Sequence, residues 1–315
     1  MLIDPHGRHI HKLRVSLLDA CNMKCLYCMP DGGPFMHKEK WVPQKELQQI
    51  VSNLVDLGID EIRLTGGEPL LRPDFKDIIS GLGELKLKKF GLTTNAVHLK
   101  DHLPMLKKYG CQHLNISLDS LNPRTHRMMT KDGSFNKILE TILIAKEMGF
   151  NVKTNSVLMR GINHFEVENF LDFSADYQIE VRFLELMKIG VGKELSPKHF
   201  ISAEEVISNI SDLWQLEEVK TPVDSTSFNF LAKDKKDRRA SVGFIASEAR
   251  PFCGGCSRLR LGADGHLRPC LMIDHGPSLR GLTINELANT LEEVMALKPT
   301  DRIESIDQAM YQIGG

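Results

Sequence analysis

The chain has no long hydrophobic run, and it lacks several other features that would narrow its role at once. In its 315 residues no stretch approaches the ~18 apolar residues of a membrane span, and the opening MLIDPHGRHIHKLRVS has no apolar core of the kind a secretion signal needs. The expectation is a cytoplasmic protein with no membrane partner. Neither sign of charge dominates: 40 Lys+Arg face 41 Asp+Glu, and the one dense run, KDKKDRR at 233–239, mixes signs as a solvated loop does. No nucleic-acid partner is expected. Repeats and low-complexity tracts are absent, and no GxxxxGK[ST] loop occurs, which excludes that glycine cradle for phosphates. Cysteines number seven, and six of them cluster, which does not suit a disulfide scaffold in a reducing compartment.

What is present is a rhythm. A 42% hydrophobic composition is ample for a core, and at ~150 residues per domain the length suits one large domain or two unequal ones. From residue 12 the runs KLRVSLL, EIRLTGGEP, KFGLTTN, HLNISLD, NVKTNSVL and IEVRFLEL read as six strands, with five amphipathic helices between them. In the fourth helix Phe135, Ile138, Leu139, Ile142, Ala145 and Met148 recur at helical spacing, and Gly149 suits the left-handed position that ends it. Strands joined through helices imply right-handed crossovers and a parallel sheet, and six units fall short of the eight that close a full barrel. The predicted fold is α/β, an incomplete (βα)6 TIM-like barrel over residues 1–200, with a smaller carboxyl-terminal region, 201–315, covering its mouth. Ligands in such folds gather beyond the carboxyl ends of the strands, where CNMKCLYC, TGGEP, TTN and SLDS fall.

Cys21, Cys25 and Cys28 put three soft ligands within eight positions. A structural zinc wants four Cys or His, and the nearest histidine, His37, is nine residues on, so zinc is a poor match. A cubane iron–sulfur cluster is normally held by four cysteines, so three leave one iron open to another ligand. This Cys-x3-Cys-x2-Cys spacing after a first strand, with Tyr27 before the last cysteine, resembles the radical S-adenosylmethionine enzymes. The resemblance implies a [4Fe–4S] cluster whose open iron chelates the amine and carboxylate of S-adenosylmethionine, with cleavage of the sulfonium to a 5′-deoxyadenosyl radical. It also implies cofactor contacts from Tyr27, from Gly66, Gly67 and Glu68 of TGGEP, from Ser117 and from Met187. Taken alone, TGGEP also reads as a tight strand-to-helix turn, and Ser117 and Met187 as strand-end and core residues.

The second group, Cys253, Cys256 and Cys270, again stops at three. His275 stands five residues on and would complete a Cys3His zinc site, an alternative that the spacing leaves open. Against it stand Arg258 and Arg260 in RLRLGADG, two apart on a predicted strand and so on one face. Such a pair suits an anion clamp or, in isolation, a charged sheet edge. CNMKCLYCMP, TGGEPLLR, CGGCSRLRLGADGHLRPCL and the final Gly314 and Gly315 together resemble the GTP 3′,8-cyclases of molybdenum cofactor biosynthesis, a lyase family, from about residue 8 to the end.

That resemblance implies a second [4Fe–4S] cluster on Cys253, Cys256 and Cys270 whose open iron binds the guanine of GTP. It implies GTP contacts from Arg14, Arg63, Thr94, Lys153, Arg258 and Arg260, and catalytic parts for the first triad, the arginine pair and the glycine tail. Hydrogen abstraction from C3′ and attack on C8 would give (8S)-3′,8-cyclo-7,8-dihydroguanosine 5′-triphosphate. The implied partners are an external reductant, a second copy in a homodimer and a downstream cyclic pyranopterin monophosphate synthase. Each cation taken singly reads also as a surface salt bridge. The chain departs from the family pattern at Ser257, where asparagine is common, at Ala96, where glycine is common, and over 222–240. Two rivals keep part of the pattern: a radical enzyme that modifies a peptide with an auxiliary cluster, and a noncatalytic metal-binding or redox-sensing protein. Cys111 reads as a buried, inert thiol.

Overall fold

Apolar residues set two apart bury one face of each strand against helices and turn the other inward, and this alternation builds the computed structural model, which describes residues 1–29 and 31–314. In chain order the elements are β1 (Lys12–Ser16), α1 (Gln44–Leu57), β2 (Glu61–Thr65), α2 (Phe75–Gly83), β3 (Lys89–Thr94), α3 (Leu103–Lys108), β4 (His113–Ser117), α4 (Pro123–Thr130), α5 (Phe135–Glu147), β5 (Asn151–Val157), α6 (Val167–Tyr177) and β6 (Glu180–Leu184). There follow α7 (Val191–His199), α8 (Ala203–Ile210), β7 (Trp214–Val219), β8 (Phe228–Asp234), β9 (Arg239–Ile245), β10 (Arg258–Leu261), β11 (Leu267–Arg268) and α9 (Ile284–Ala296).

The six predicted strands form, and β1 to β6 lie side by side and parallel. The helices cover one face of this sheet. Leu47, Ile50, Val51 and Leu54 of α1 and Phe135, Ile138, Ile142 and Ala145 of α5 belong to one continuous core. Each such buried Leu, Ile, Val or Phe contributes roughly 1.5–3 kcal/mol. Gly149 takes the left-handed φ of 81° that stops α5. Helix α4 has no counterpart in the periodicity because PRTHRMMT is short and mostly polar. It forms through its cap: Asn122 accepts from the N–H groups of Arg124 and Thr125, and Pro123 fills the first helical position.

The carboxyl-terminal region extends the barrel itself. β9 adds parallel to β6 and β10 adds parallel to β1, giving one 11-stranded sheet in the order β11-β10-β1-β2-β3-β4-β5-β6-β9-β8-β7. The sheet curls, since Arg14 on β1 and Arg182 on β6 lie five places apart in that order and still repel each other. KDKKDRR is the solvated turn between β8 and β9, where Arg238 pairs with Asp172, Asp176 and Asp234. Among the described residues no helix is long and apolar enough to cross a membrane.

Candidate functional site

The inward faces of the strands meet at their carboxyl ends in a cavity of about 310 Å³ whose wall carries all six clustered cysteines. All seven cysteines are free. The seventh, Cys111, is fully buried outside this wall, and burial pushes its thiol up to about 12.

The first triad lies on the loop after β1. The end of α4 holds that loop, with Lys24 N–H donating to the Thr130 carbonyl and Leu26 N–H to that of Met129, both at 2.9 Å. Burial is the main force on its thiols: it carries Cys21 up to about 11 and Cys28 to about 12, and Cys25 is raised by burial, by Asp119 and by its two neighbouring thiols. The sulfurs are thus close enough to repel, and a metal centre is what lets such thiols ionise together. Met23 N–H points at Cys21 Sγ from 3.4 Å, a donor suited to a ligand thiolate. Three thiolates and no fourth fit a four-iron cluster with one open iron. Among the described residues no three or more His, Cys, Asp or Glu side chains converge on a single-ion position. Beside the triad the Tyr27 hydroxyl donates to Asp119 at 2.8 Å, and burial raises the Asp119 carboxyl to about 6.

TGGEP locks onto this loop. Gly66, at φ 148°, and Gly67 press on backbone: a Cβ on the first would collide with the Leu18 carbonyl, and on the second with those of Asp19 and Ala20. Their bareness therefore serves loop packing as well as the cavity they line. Glu68 accepts from Leu70 N–H (3.2 Å), from the Thr94 hydroxyl (2.7 Å) and from Asn95 N–H (2.7 Å), which ties the end of β2 to the end of β3. Burial pushes its carboxyl up to about 7. Just beyond, Ala96 takes a left-handed φ of 63°, the physical reason that glycine suits this position. Ser117 and Met187 complete this side of the wall.

Around the second triad the field is reversed. Burial would raise the Cys256 thiol, yet Arg258 and Lys298, whose nitrogens stand 3.4 and 3.3 Å from its sulfur, bring it down to about 6. Met272 N–H faces Cys270 Sγ from 3.4 Å, repeating the donor seen at Cys21. His275 does not join the set: its side chain is 78% exposed, and Nδ1 faces Asp274 at 3.0 Å. The donor chemistry again fits a cluster with one open iron.

Arginines fill the lumen between the triads. Burial, and then Arg260, Arg258, Arg63 and Arg182, drive the Arg14 guanidinium well below its usual range. Burial is also the first cause that brings Arg260 and Arg63 down to about 10. Of the sequence-predicted nucleotide contacts, Arg14, Thr94, Arg258 and Arg260 line the cavity, whereas Arg63 and Lys153 do not. Arg63 donates to the Leu92 and His113 carbonyls at 3.1 and 3.3 Å, and Lys153 pairs with Glu180 at 2.7 Å. Sequence reasoning missed Arg182, which lines the cavity buried, with Nε and Nη2 lacking a hydrogen-bond partner among the described residues and Glu180 no nearer than 3.8 Å. Its signal was the alternation in IEVRFLEL, which turns Arg182 inward as KLRVSLL turns Arg14.

The tail reaches the same lumen. Gly314, at φ 67°, offers its carbonyl to Arg260 Nη1 at 2.9 Å, and a Cβ there would stand 2.8 Å from that of Ser16. Tyr311 precedes it in the cavity wall, edge-on to Phe35. Gly315 lies outside the described residues.

Comparison with known proteins agrees with this geometry. The Radical SAM superfamily model matches residues 15–174, and the Molybdenum Cofactor Synthesis C model matches residues 179–304. The GTP 3′,8-cyclase of Synechocystis sp. is 41% identical over 314 residues, covering 100% of this chain and 95% of that one. The GTP 3′,8-cyclase of Clostridium botulinum strain Hall is 37% identical over 325 residues, covering 100% of both. Among solved structures, Streptococcus suis SuiB bound to the precursor peptide SuiA aligns with a TM-score of 0.68 at 14% identity, over 92% of this chain and 66% of that one. Native anSMEcpe with bound AdoMet aligns at 0.63 and 16% identity, over 91% and 84%. At such identities the structures establish the fold alone, and the curated relatives carry the assignment: this chain belongs to the GTP 3′,8-cyclase family within the radical S-adenosylmethionine superfamily.

Proposed function

We propose that this chain is a GTP 3′,8-cyclase that binds S-adenosylmethionine at the first triad and GTP between the second triad and the lumen arginines. The observation that carries the reading is one cavity walled by two three-cysteine sets in opposite fields, acids near one and cations near the other. S-adenosylmethionine presents a sulfonium and an amine, which Asp119 and Glu68 suit; a triphosphate is a polyanion, which Arg14, Arg182, Arg258 and Arg260 suit.

When bound, the first cluster and its S-adenosylmethionine would supply the radical chemistry, the 5′-deoxyadenosyl radical being what would draw hydrogen from C3′ of the ribose. The protein's share is holding and shielding. Tyr27, Gly66, Gly67, Glu68, Ser117 and Met187 would seat the cofactor. Arg258 and Arg260 would clamp the nucleotide, with Arg14, Thr94 and Arg182 along its length. Arg63 and Lys153 would join once their present carbonyl and Glu180 partners release them. Cys253, Cys256 and Cys270 would hold a second cluster whose open iron takes guanine, and Gly314 with Gly315 would close the lumen behind it. An external reductant, a homodimer, a cytoplasmic setting and a downstream cyclic pyranopterin monophosphate synthase belong to the same reading.

Anaerobic reconstitution tests it. With S-adenosylmethionine, a reductant and GTP, the expected products are 5′-deoxyadenosine and a cyclised nucleotide from protein carrying two clusters. Cofactor cleavage that is indifferent to GTP would favour the peptide-modifying rival.

A further inference from the structure

Lys298 follows α9 and is 2% exposed, and its ammonium donates three ways: to Cys256 Sγ at 3.3 Å, to the Arg258 carbonyl at 2.7 Å and to the Pro269 carbonyl at 3.0 Å. Among the described residues no carboxylate pairs with it. A buried ammonium without a counter-charge is costly, and the acceptor here able to carry charge is the ligand sulfur. The backbone around it is fixed from the other end of the chain. Arg8, held by Asp4, donates to the carbonyls of Cys253 (2.8 Å), Lys298 (3.0 Å) and Pro299 (2.7 Å). Both loops that carry the second triad, one through Cys253 and Cys256 and the other through Pro269 beside Cys270, are therefore pinned at this one lysine. The same segment runs on to Gly314 in the lumen, so the arm that grips Cys256 also delivers the tail to Arg260.

We infer that Lys298 is a positioning residue for the second triad: it fixes the Cys256 sulfur between the two loops and, through its charge and N–H donor, makes the metal centre held there easier to reduce. The inference rests on the reading of Cys253, Cys256 and Cys270 as cluster ligands. Hydrogen bonds to a ligand sulfur and cations beside it tune a cluster's potential, and both draw electron density from the cluster. An inert packing role would leave the potential unmoved.

The test uses the full chain with the first triad removed (C21A/C25A/C28A), so that the second cluster alone is read, and compares that background with added K298M and K298R. The measurements are iron per chain and the midpoint potential in an EPR-monitored redox titration. K298M is expected to retain its iron but to shift negative, so that the ratio of reduced to oxidised cluster at the parent midpoint falls about tenfold, or about 59 mV for one electron. K298R, which keeps the charge and donors, should stay near the parent. A K298M cluster at the parent potential overturns the inference. Should K298M lose its cluster, retention by K298R supports the inference, and loss in both overturns it in favour of simple packing. A parent that binds no iron on the second triad overturns the cluster reading itself, and the inference with it.

Discussion

Around the first triad the nearest charged partners of the thiols are Asp119, Glu68 and the other thiols; around Cys256 of the second they are Arg258 and Lys298. The donor set is the same, three cysteines with a nearby backbone N–H on one sulfur, while the first-triad thiols are all raised and Cys256 of the second is lowered by its cations, burial still raising Cys253 beside it. The difference teaches that the ligand chemistry offered is common to both ends of the cavity and the charge around it is not. A cationic cofactor gains from the first surroundings and a polyanionic substrate from the second.

The largest effects come from removing either triad. C21A/C25A/C28A should abolish 5′-deoxyadenosine formation, whereas C253A/C256A/C270A should still cleave some S-adenosylmethionine but yield no cyclised nucleotide, as chromatography of both products would show. Equal loss of cofactor cleavage in the two variants would break the comparison. Next in size is Arg182, whose guanidinium is buried with two nitrogens unpartnered among the described residues. A charge-assisted contact contributes about 1.5–3 kcal/mol, so R182L should weaken GTP binding by about 10- to 150-fold. S-adenosylmethionine affinity should hold steady in the same calorimetric titrations. A parallel loss of cofactor affinity would show that the lumen does not sort its ligands by charge.

A smaller effect is in the pH dependence of the metal-free protein. The Glu68 carboxyl stands at about 7 in the fold against 4.5 when free, so the folded state holds the proton more tightly. Its contribution to stability is therefore greatest below about 4.5 and falls as pH rises toward about 7. Cys256 runs the other way: lowered from 9.0 to about 6, it stabilises above 9.0 and loses that contribution as pH falls through about 6. E68Q should remove on the order of 2 kcal/mol of stability change between pH 5 and 7.5, measured by urea denaturation. Identical pH profiles for E68Q and wild type would mean that Glu68 is not held protonated.

The six parallel strands were legible because each run alternates apolar and inward-facing residues over a short span, and a helix separates each pair. The edges were not, because β9 and β10 reach β6 and β1 across long stretches of chain. The register that sets Arg14 beside Arg260 is a tertiary fact. The first cysteine triad was legible through its spacing, three soft ligands within eight residues, whereas the spacing of Cys253, Cys256 and Cys270 left a zinc site with His275 open until the structure placed that histidine in solvent. Arg63 and Lys153 were expected as nucleotide contacts from the family resemblance alone, and neither resemblance nor strand position tells which carbonyl or carboxylate waits beside each in this chain. Lys298 left no mark at all: a lysine before a proline in a polar stretch looks solvated until the two loops of the second triad take its ammonium.

The smallest expected effect tests how the first triad's surroundings are built. Ala96 is fully buried with φ 63°, two residues past Thr94 and directly after Asn95, whose side chain donates to Asn22 Oδ1 at 2.8 Å. A left-handed alanine costs about 1–2 kcal/mol, and a glycine there would relieve it. Glycine would also lose about 0.8 kcal/mol of methyl burial and about 0.5–1 kcal/mol to its freer unfolded chain. These terms nearly cancel, so A96G should change stability by less than about 1 kcal/mol in a denaturation midpoint, with S-adenosylmethionine affinity unchanged. A loss well beyond that would mean that the methyl, packed in the core behind the loop, matters more to the first triad than the turn it strains.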